Sequence, residues 1–467
     1  MLSPLSDRTY RHLFGAQLLS LLGTGLATVA LGLLAFELAG ANAGAVLGSA
    51  LAIKMIAYVS VAPVAGAFVH LAPRRNLLVA LDLMRAIVTL ALPFVTEIWQ
   101  VYVLIAVLQC GSAAFSPTFQ ATIPDVLPDE AEYTKALSLS RLGYDLEALV
   151  SPLLAAALLG IVGFHWLFAG TVLGFIASAL LVVSVSLPSP KPPERTEGAW
   201  RRVTRGTRIY LATPRLRALL LFNLAVAAAG AMAIVNTVVV VRGGMGLSDK
   251  EVAVVFAAYG GGSMLAALAL PRLLAHVADR SAMLLGAAIL CAGMAIGPWA
   301  STQVPTLLAL WFVLGMGNGL VLTPSGRLLR RSSHPGDRPA LFAAQFALSH
   351  ACWLLTYPLS GWLGAGPGIT VAFATMGLLA VIGAAGAARL WPRDDPEEVE
   401  HEHDALGQDD PHLREAGNVV VLGNGRYRHR HALVVDDRHP TWPRDRPGAA
   451  RTANFRIRFA SRRVRFI

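Results

Sequence analysis

Charged side chains are scarce in this chain: Asp, Glu, Lys and Arg make up 15% of its 467 residues, against 55% hydrophobic ones, and the mean hydropathy is +0.56. A soluble domain could not hide that much apolar surface, so the chain falls in the membrane class. Cysteine is nearly absent. Cys110, Cys291 and Cys352 all lie inside apolar runs without paired spacing, which leaves no disulfide framework and no zinc ribbon. No glycine-rich loop ending in Lys-Ser or Lys-Thr occurs, so ATP hydrolysis is not expected, and nothing reads as an enzyme or requires a cofactor. The formal charge of +10 comes from short basic clusters between apolar runs and from the last 70 or so residues, so nucleic acid is not an expected partner.

What is present is a series of long apolar runs. A helix crossing the roughly 30 Å hydrocarbon core needs about 20 apolar residues. Runs of that size lie near 12–37, 44–69, 77–96, 99–119, 137–160, 164–187, 216–241, 251–274, 281–300, 304–326, 340–363 and 367–390. The first follows Arg8 and Arg11, is too long for a secretory signal and lacks a clear cleavage site, so it reads as an uncleaved membrane helix. The expected fold is therefore all-α, with twelve transmembrane helices. Residues 1–187 form one six-helix half, 188–215 a polar linker, 216–392 a second six-helix half, and 393–467 a His- and Arg-rich tail expected to be flexible and disordered.

The loops orient the chain. With the N-terminus inside, the inner loops carry Arg74, Arg75, Lys135, the arginines from 195 to 217, Arg272, Arg280, Arg327, Arg330, Arg331 and Arg338, against only Arg242 and Lys250 outside. This bias predicts a multi-pass protein of the inner (plasma) membrane with both termini cytoplasmic, working in the lipid bilayer as a monomer. Six helices plus six, joined by one long loop, is the layout of a transporter built from structural repeats, with its substrate path between the halves near the midplane. The stretches "GAFVHLAPRRNLLVALDLMRA" (66–86) and "LALPRLLAHVADRSAMLLGAA" (268–288) occupy equivalent loops.

Over residues 8–392 the chain resembles the major facilitator superfamily, in particular its efflux branch. In that family the loop after the second helix reads Gly, three residues, Asp-Arg, two residues and a basic pair. Gly66, Arg74 and Arg75 match, as do Asp82 and Arg85 in the next helix, while His70 and Leu71 replace the expected Asp and Arg. The resemblance implies a conformational role for this loop, with its charge relay moved to Asp82 and Arg85. "SPTFQATIPDVLP" (116–128) and Ser151–Pro152, where exporters carry Gly-Pro, extend the match. A narrower resemblance, to nickel- and cobalt-resistance exporters with a histidine-rich tail, rests on "AIKMIAYVSVAPVAGAF" (52–68), "SRLGYDLEALVSP" (140–152), "AQFALSHACWLLTYP" (344–358) and "HRHALVVDDRHPTWP" (429–443).

Charges inside membrane helices cost about 2.5–3.5 kcal/mol each, so each that persists asks for a partner or a role. Lys54, Asp145 and Glu147 are such charges. Two positions apart, Asp145 and Glu147 lie about 200 degrees around a helix, so one can face the central path while the other packs against a neighbour. Either could bind a proton or cation and release it as the halves rock, or form a structural ion pair with Arg141 or Lys54. His350 and Cys352 offer donors suited to nickel, cobalt or zinc, but at i and i+2 they point apart, and a lone helical histidine is more often a packing residue.

The tail holds six of the 12 histidines: His401, His403, His412, His429, His431 and His439. His-Glu-His and His-Arg-His place two imidazoles within reach of one ion in an extended segment, with Asp404, Asp409, Asp410, Asp436 and Asp437 adding oxygens. The bland alternative is a soluble polar tail. Two functions compete: efflux of a divalent metal such as nickel or cobalt in exchange for protons, and proton-coupled efflux of an organic compound such as a drug or siderophore. A non-transporting metal sensor is a third.

Overall fold

The computed structural model describes residues 2–39, 43–159, 161–188, 198–247, 249–393, 395, 398–403, 417–423, 426–432, 434–436, 439 and 442. Twelve long helices fill it. The first six are α1 (Arg8–Ala39), α2 (Ala43–Phe68), α3 (Arg74–Ala91), α4 (Ile98–Val126), α5 (Glu130–Leu159) and α6 (His165–Val183). After the short α7 (Ala199–Ala212) come α8 (Pro214–Val238), α9 (Asp249–Leu273), α10 (Asp279–Ala300), α11 (Val304–Leu322), the short α12 (Ser325–Arg331), α13 (Arg338–Ala365) and α14 (Ile369–Leu390). Among the described residues ten of these segments are long and apolar enough to cross a membrane, and Ala52–Phe68 of α2 adds a shorter apolar one.

Local chemistry sets the ends. Asp7 accepts from the Tyr10 N–H at 2.7 Å and Asp129 from the Glu132 N–H at 2.8 Å, satisfying free amides in the first turns of α1 and α5. Glu97 and Gln100 form a capping box at the start of α4. Pro214 opens α8, where its missing N–H costs nothing.

The two halves repeat one packing plan. In the first, α1 packs on α5 and α6, α2 on α4, and α3 on α4 and α6; in the second, α8 packs on α13 and α14, α9 on α11, and α10 on α11 and α14. First touches fifth and sixth, second touches fourth, and third touches fourth and sixth, in both. The seam between the halves is also reciprocal, α2 against α13 and α5 against α9, second against fifth each way. Each half has its own buried apolar interior, around Phe168 and Tyr133 in the first and Trp311 and Phe222 in the second. Large apolar side chains such as Phe94, Ile87, Leu173 and Leu378 point outward, as a lipid-facing surface requires.

Two elements lie where the sequence offers no apolar period. Within the polar linker, α7 forms as an amphipathic helix between the halves. Within the tail, β1 (Glu398–His403), β2 (Gly417–Gly423) and β3 (Arg426–Ala432) form an antiparallel sheet in the order β1-β3-β2, so part of a segment expected to be disordered is strand. Its register follows charge: Glu400 sits opposite Arg430 and Glu402 opposite Arg428, and Glu402 accepts from Arg426 and Arg428 at 2.7 and 2.5 Å.

Candidate functional site

The seam is closed on the side that carries the helix 1 start, the linker and the tail, here the terminal side. Asp125, at the end of α4, takes Arg74 of α3 at 2.5 Å and also binds Arg338 of α13, joining the two halves through one carboxylate. Arg327 of α12 reaches Glu130 of α5 at 2.7 Å and Asp279 of α10 at 3.3 Å, and donates to the Thr134 hydroxyl at 2.9 Å; Arg330 donates to the Pro128 carbonyl. Gly66 marks the tightest approach. A Cβ on it would come to 2.5 Å of the Ala343 Cβ and 3.0 Å of the Pro339 carbonyl, so α2 and α13 meet backbone to backbone.

Of the loop residues expected to act in conformational change, Gly66 and Arg74 are thus at the seam, and Arg75 is exposed beside them. Asp125 and Arg338 were not singled out by sequence. The signal for Asp125 lies in "IPDVLP", where an aspartate interrupts the apolar end of a helix. Asp82 and Arg85, expected in the charge relay, pair with each other inside the first half. Ser178 donates to Asp82 at 2.7 Å, and the Arg85 guanidinium lies 4.1 and 4.4 Å from the Phe115 and Phe175 rings. This pair is sealed among α3, α4 and α6 and does not reach the seam.

Deeper in the seam, Asp145 and Glu147 part company as their helical spacing requires. Asp145 pairs with Arg141 one turn back at 3.0 Å, and Arg141 donates across the seam to the Ser263 hydroxyl of α9 at 2.9 Å. Asp145 therefore helps fasten α5 to α9. Glu147 points elsewhere: its Oε1 lies so close to Gly25 of α1 that a Cβ there would be 2.6 Å away. Neither Glu147 nor Lys54 makes a hydrogen bond or ion pair with a described residue, yet each lies within reach of the other's charge.

Lys54 is the centre of this group. Its ammonium lies 5.6 Å from the Tyr58 ring centroid, and its charge is also felt at His350 of α13. Tyr58 meets the His350 ring edge-on at 4.8 Å and the Phe346 ring at 4.8 Å, which brings α2 and α13 together through aromatic faces. His350 Nδ1 lies 2.7 Å from the Phe346 carbonyl oxygen. A carbonyl only accepts, so Nδ1 carries the proton. Cys352, half-buried on α13, does not join this group, and among the described residues no three His, Cys, Asp or Glu side chains are arranged to hold a metal ion.

In the tail, strand register sets His401 opposite His429 and His403 opposite Tyr427, while His431 lies opposite Val399. His429 is buried; His412 lies outside the described residues. Beyond the sheet the chain returns to the body. Val435 joins the interior of the second half, the Trp442 ring covers the Arg215 guanidinium at 5.0 Å, and Asp436 contacts His334 at 3.4 Å and His439 at 3.1 Å. Burial raises the Asp436 carboxyl, but hydrogen bonds from both imidazoles and from the His439 N–H outweigh it and hold the group well below the usual carboxylate range.

Sequence and structure comparisons agree on the architecture. The sequence profile of the Major Facilitator Superfamily matches residues 13–276 and 220–432. An uncharacterized MFS-type transporter of Bacillus subtilis (strain 168), YfiS, is 24% identical over 331 residues, 68% of this chain and 78% of that protein. Among solved structures, the human organic anion transporter MFSD10 (TETRAN) superposes with a TM-score of 0.70 at 13% identity, covering 81% of this chain and 99% of that one. A bacterial homologue of the iron transporter ferroportin, in its outward-facing state, gives 0.69 at 14% identity over 82% and 99%. At such identities the likeness is one of fold.

Proposed function

Because the chain belongs to the Major Facilitator Superfamily, a family of multi-pass membrane transporters rather than enzymes, we propose that it is a secondary active exporter of an organic compound with an acidic group, driven by protons that bind at Glu147. The carrying observation is the pair of charges in the seam. Elsewhere in the membrane region carboxylates sit with arginines, Asp82 with Arg85 and Asp145 with Arg141, which offsets their burial. Lys54 and Glu147 have no such hydrogen-bonded partner among the described residues, only each other's charge and, for Lys54, the Tyr58 ring, although a charge in a membrane helix costs about 2.5–3.5 kcal/mol. A substrate anion on Lys54 and a proton on Glu147 would supply what the fold withholds.

The mechanism follows from the seam. With the terminal side closed, alternating access requires Lys54, Glu147 and His350 to be reached from the opposite side. In the proposed cycle an anion leaves Lys54 to that side and a proton from that side binds Glu147. Rocking then opens the terminal side, where the proton leaves and a new anion binds. Aromatic walls from Tyr58 and Phe346 suit an organic body. The basic loops support a cytoplasmic terminal side in the plasma membrane, and exchange for protons entering from the far side would drive the anion outward.

The metal reading keeps one specific observation: the strand register that sets His401 opposite His429, with His403 and His431 two positions along their strands, which supports capture of a borderline cation such as nickel or cobalt at the tail. At the seam it is the weaker reading, since Lys54 repels a cation and three donors do not converge among the described residues. Both substrate classes occur on this fold in the relatives above, so fold does not decide between them. Purified protein in proteoliposomes, under an imposed pH gradient, separates the two. Uptake of carboxylated dyes that is lost in Lys54→Gln supports the organic-anion reading. Uptake of nickel or cobalt that survives Lys54→Gln, with no dye transport, overturns it.

A further inference from the structure

Helix α7 sits across the seam rather than beside it. It packs on α2 of the first half and on α13 of the second. Three contacts fix its inner face: Gly206 lies against the Ala340 carbonyl, Arg205 pairs with Asp337 at 2.8 Å in a buried site, and the Tyr210 hydroxyl donates to Gln345 at 2.5 Å. These contacts are one turn from the point where Gly66 of α2 meets Ala340 and Ala343 of α13. Helix α7 therefore covers the closure itself, and both halves can hold it only while they are together on the terminal side.

The opposite face of α7 has a different character. Positions 200, 201, 204, 208 and 211 form one stripe at helical spacing. Trp200 is 77% exposed and Leu211 45%, with Arg201 and Arg208 exposed between them and Arg202 at the edge. Helix α7 contains no acidic residue. Only Arg205 turns inward; the outward cations have no carboxylate on their own helix. A single residue, Thr213, separates α7 from the membrane-spanning α8, which sets the stripe at the level of lipid headgroups. A tryptophan at one end, a leucine at the other and three guanidinium groups between match that layer, apolar edges toward acyl chains and cations toward phosphate.

We propose that the exposed stripe of α7 binds anionic phospholipid headgroups, and that this contact holds the halves closed on the terminal side. A ligand that binds one arrangement better shifts the population toward it. The docked α7 presents the stripe in the headgroup plane, so lipid charge favours the docked, closed state. This inference does not depend on which substrate is carried.

The test reads the closure directly. Spin labels at Asn76 and Ala275, exposed on the terminal side of the first and second halves, are placed in full-length protein whose three cysteines are replaced. The protein is reconstituted in nanodiscs of phosphatidylcholine alone or with a quarter phosphatidylglycerol, and distances are measured by double electron–electron resonance. Phosphatidylglycerol is expected to raise the ratio of short to long distances about fivefold or more, an effect reduced by high salt. Arg201→Gln, Arg202→Gln and Arg208→Gln together should abolish the response while leaving thermal unfolding in phosphatidylcholine unchanged. Equal distributions in the two lipids, or a response that persists in the triple variant, would overturn the proposal. So would a response to soluble polyglutamate with none to phosphatidylglycerol, which would point to an acidic protein partner.

Discussion

Replacing Asp125 by asparagine keeps the side chain's shape and removes the charge that joins Arg74 to Arg338. Asp125 and Arg74 each expose 5% of their side chains and Arg338 13%, so solvent screens the interaction little. Removing one partner of such a buried pair costs about 3–5 kcal/mol. The Arg74 arm lies within the first half and is present whichever way the halves rock. Only the Arg338 arm spans the seam, and assigning it about half the cost, roughly 2 kcal/mol, lowers the closed-to-open ratio about thirtyfold. The label pair at Asn76 and Ala275 measures that ratio. Arg74→Gln is the control: it should lower thermal stability while leaving the ratio near that of the unaltered protein. An Asp125→Asn distribution indistinguishable from the parent, or one reproduced by Arg74→Gln, would refute a closure carried by Asp125.

Three further outcomes follow from the same geometry. Gly66→Val should favour the open arrangement, because a Cβ alone already meets Ala343 at 2.5 Å; cysteine accessibility on the terminal side should rise, and an unchanged pattern would show that the helices part easily. Asp82→Asn should cost about 3–5 kcal/mol of stability by stranding the buried Arg85, seen as a lower melting temperature; a stable but uncoupled variant would instead return Asp82 to the coupling machinery. Because the Asp436 carboxyl is held below its ordinary range, its contribution to tail docking is present above about pH 4 and is lost as pH falls further. Limited proteolysis should therefore cut the tail faster in strong acid, and Asp436→Asn should be cut faster at pH 7 as well; equal cutting of variant and parent at pH 7 would count against that contact.

Most of the membrane architecture was readable because it depends on length and polarity alone. Runs of apolar residues predicted all twelve long helices, with ends displaced by a few residues where caps such as Asp7 and Asp129 start a helix in polar sequence. Helix α7 was missed because its 14 residues carry four arginines and no continuous apolar run; its order comes from packing on α2 and α13. The tail strands were missed for a related reason. In β1 and β3 histidine alternates with glutamate or arginine rather than apolar with polar, a pattern that shows only when Glu402 finds Arg428, and β2 is a short apolar run without a period.

The candidate site was legible residue by residue but not as a constellation. Helical spacing separates Asp145 from Glu147 in sequence, yet which one faces the path depends on Ser263, more than 100 residues away, which accepts from Arg141 and commits Asp145 to the seam fastening. Likewise the loop substitution at His70 gives no hint that Asp125 carries the carboxylate of the closure. Such assignments rest on long-range contacts that periodicity cannot encode.

The central claim is that Glu147 exchanges protons in step with substrate on Lys54. Proteoliposomes loaded with a pH-sensitive dye and given a transported carboxylated compound measure it most directly. The account predicts substrate-dependent proton movement in the parent protein, and in Glu147→Gln its loss, with exchange of labelled for unlabelled compound retained. Proton movement that persists in Glu147→Gln would contradict it.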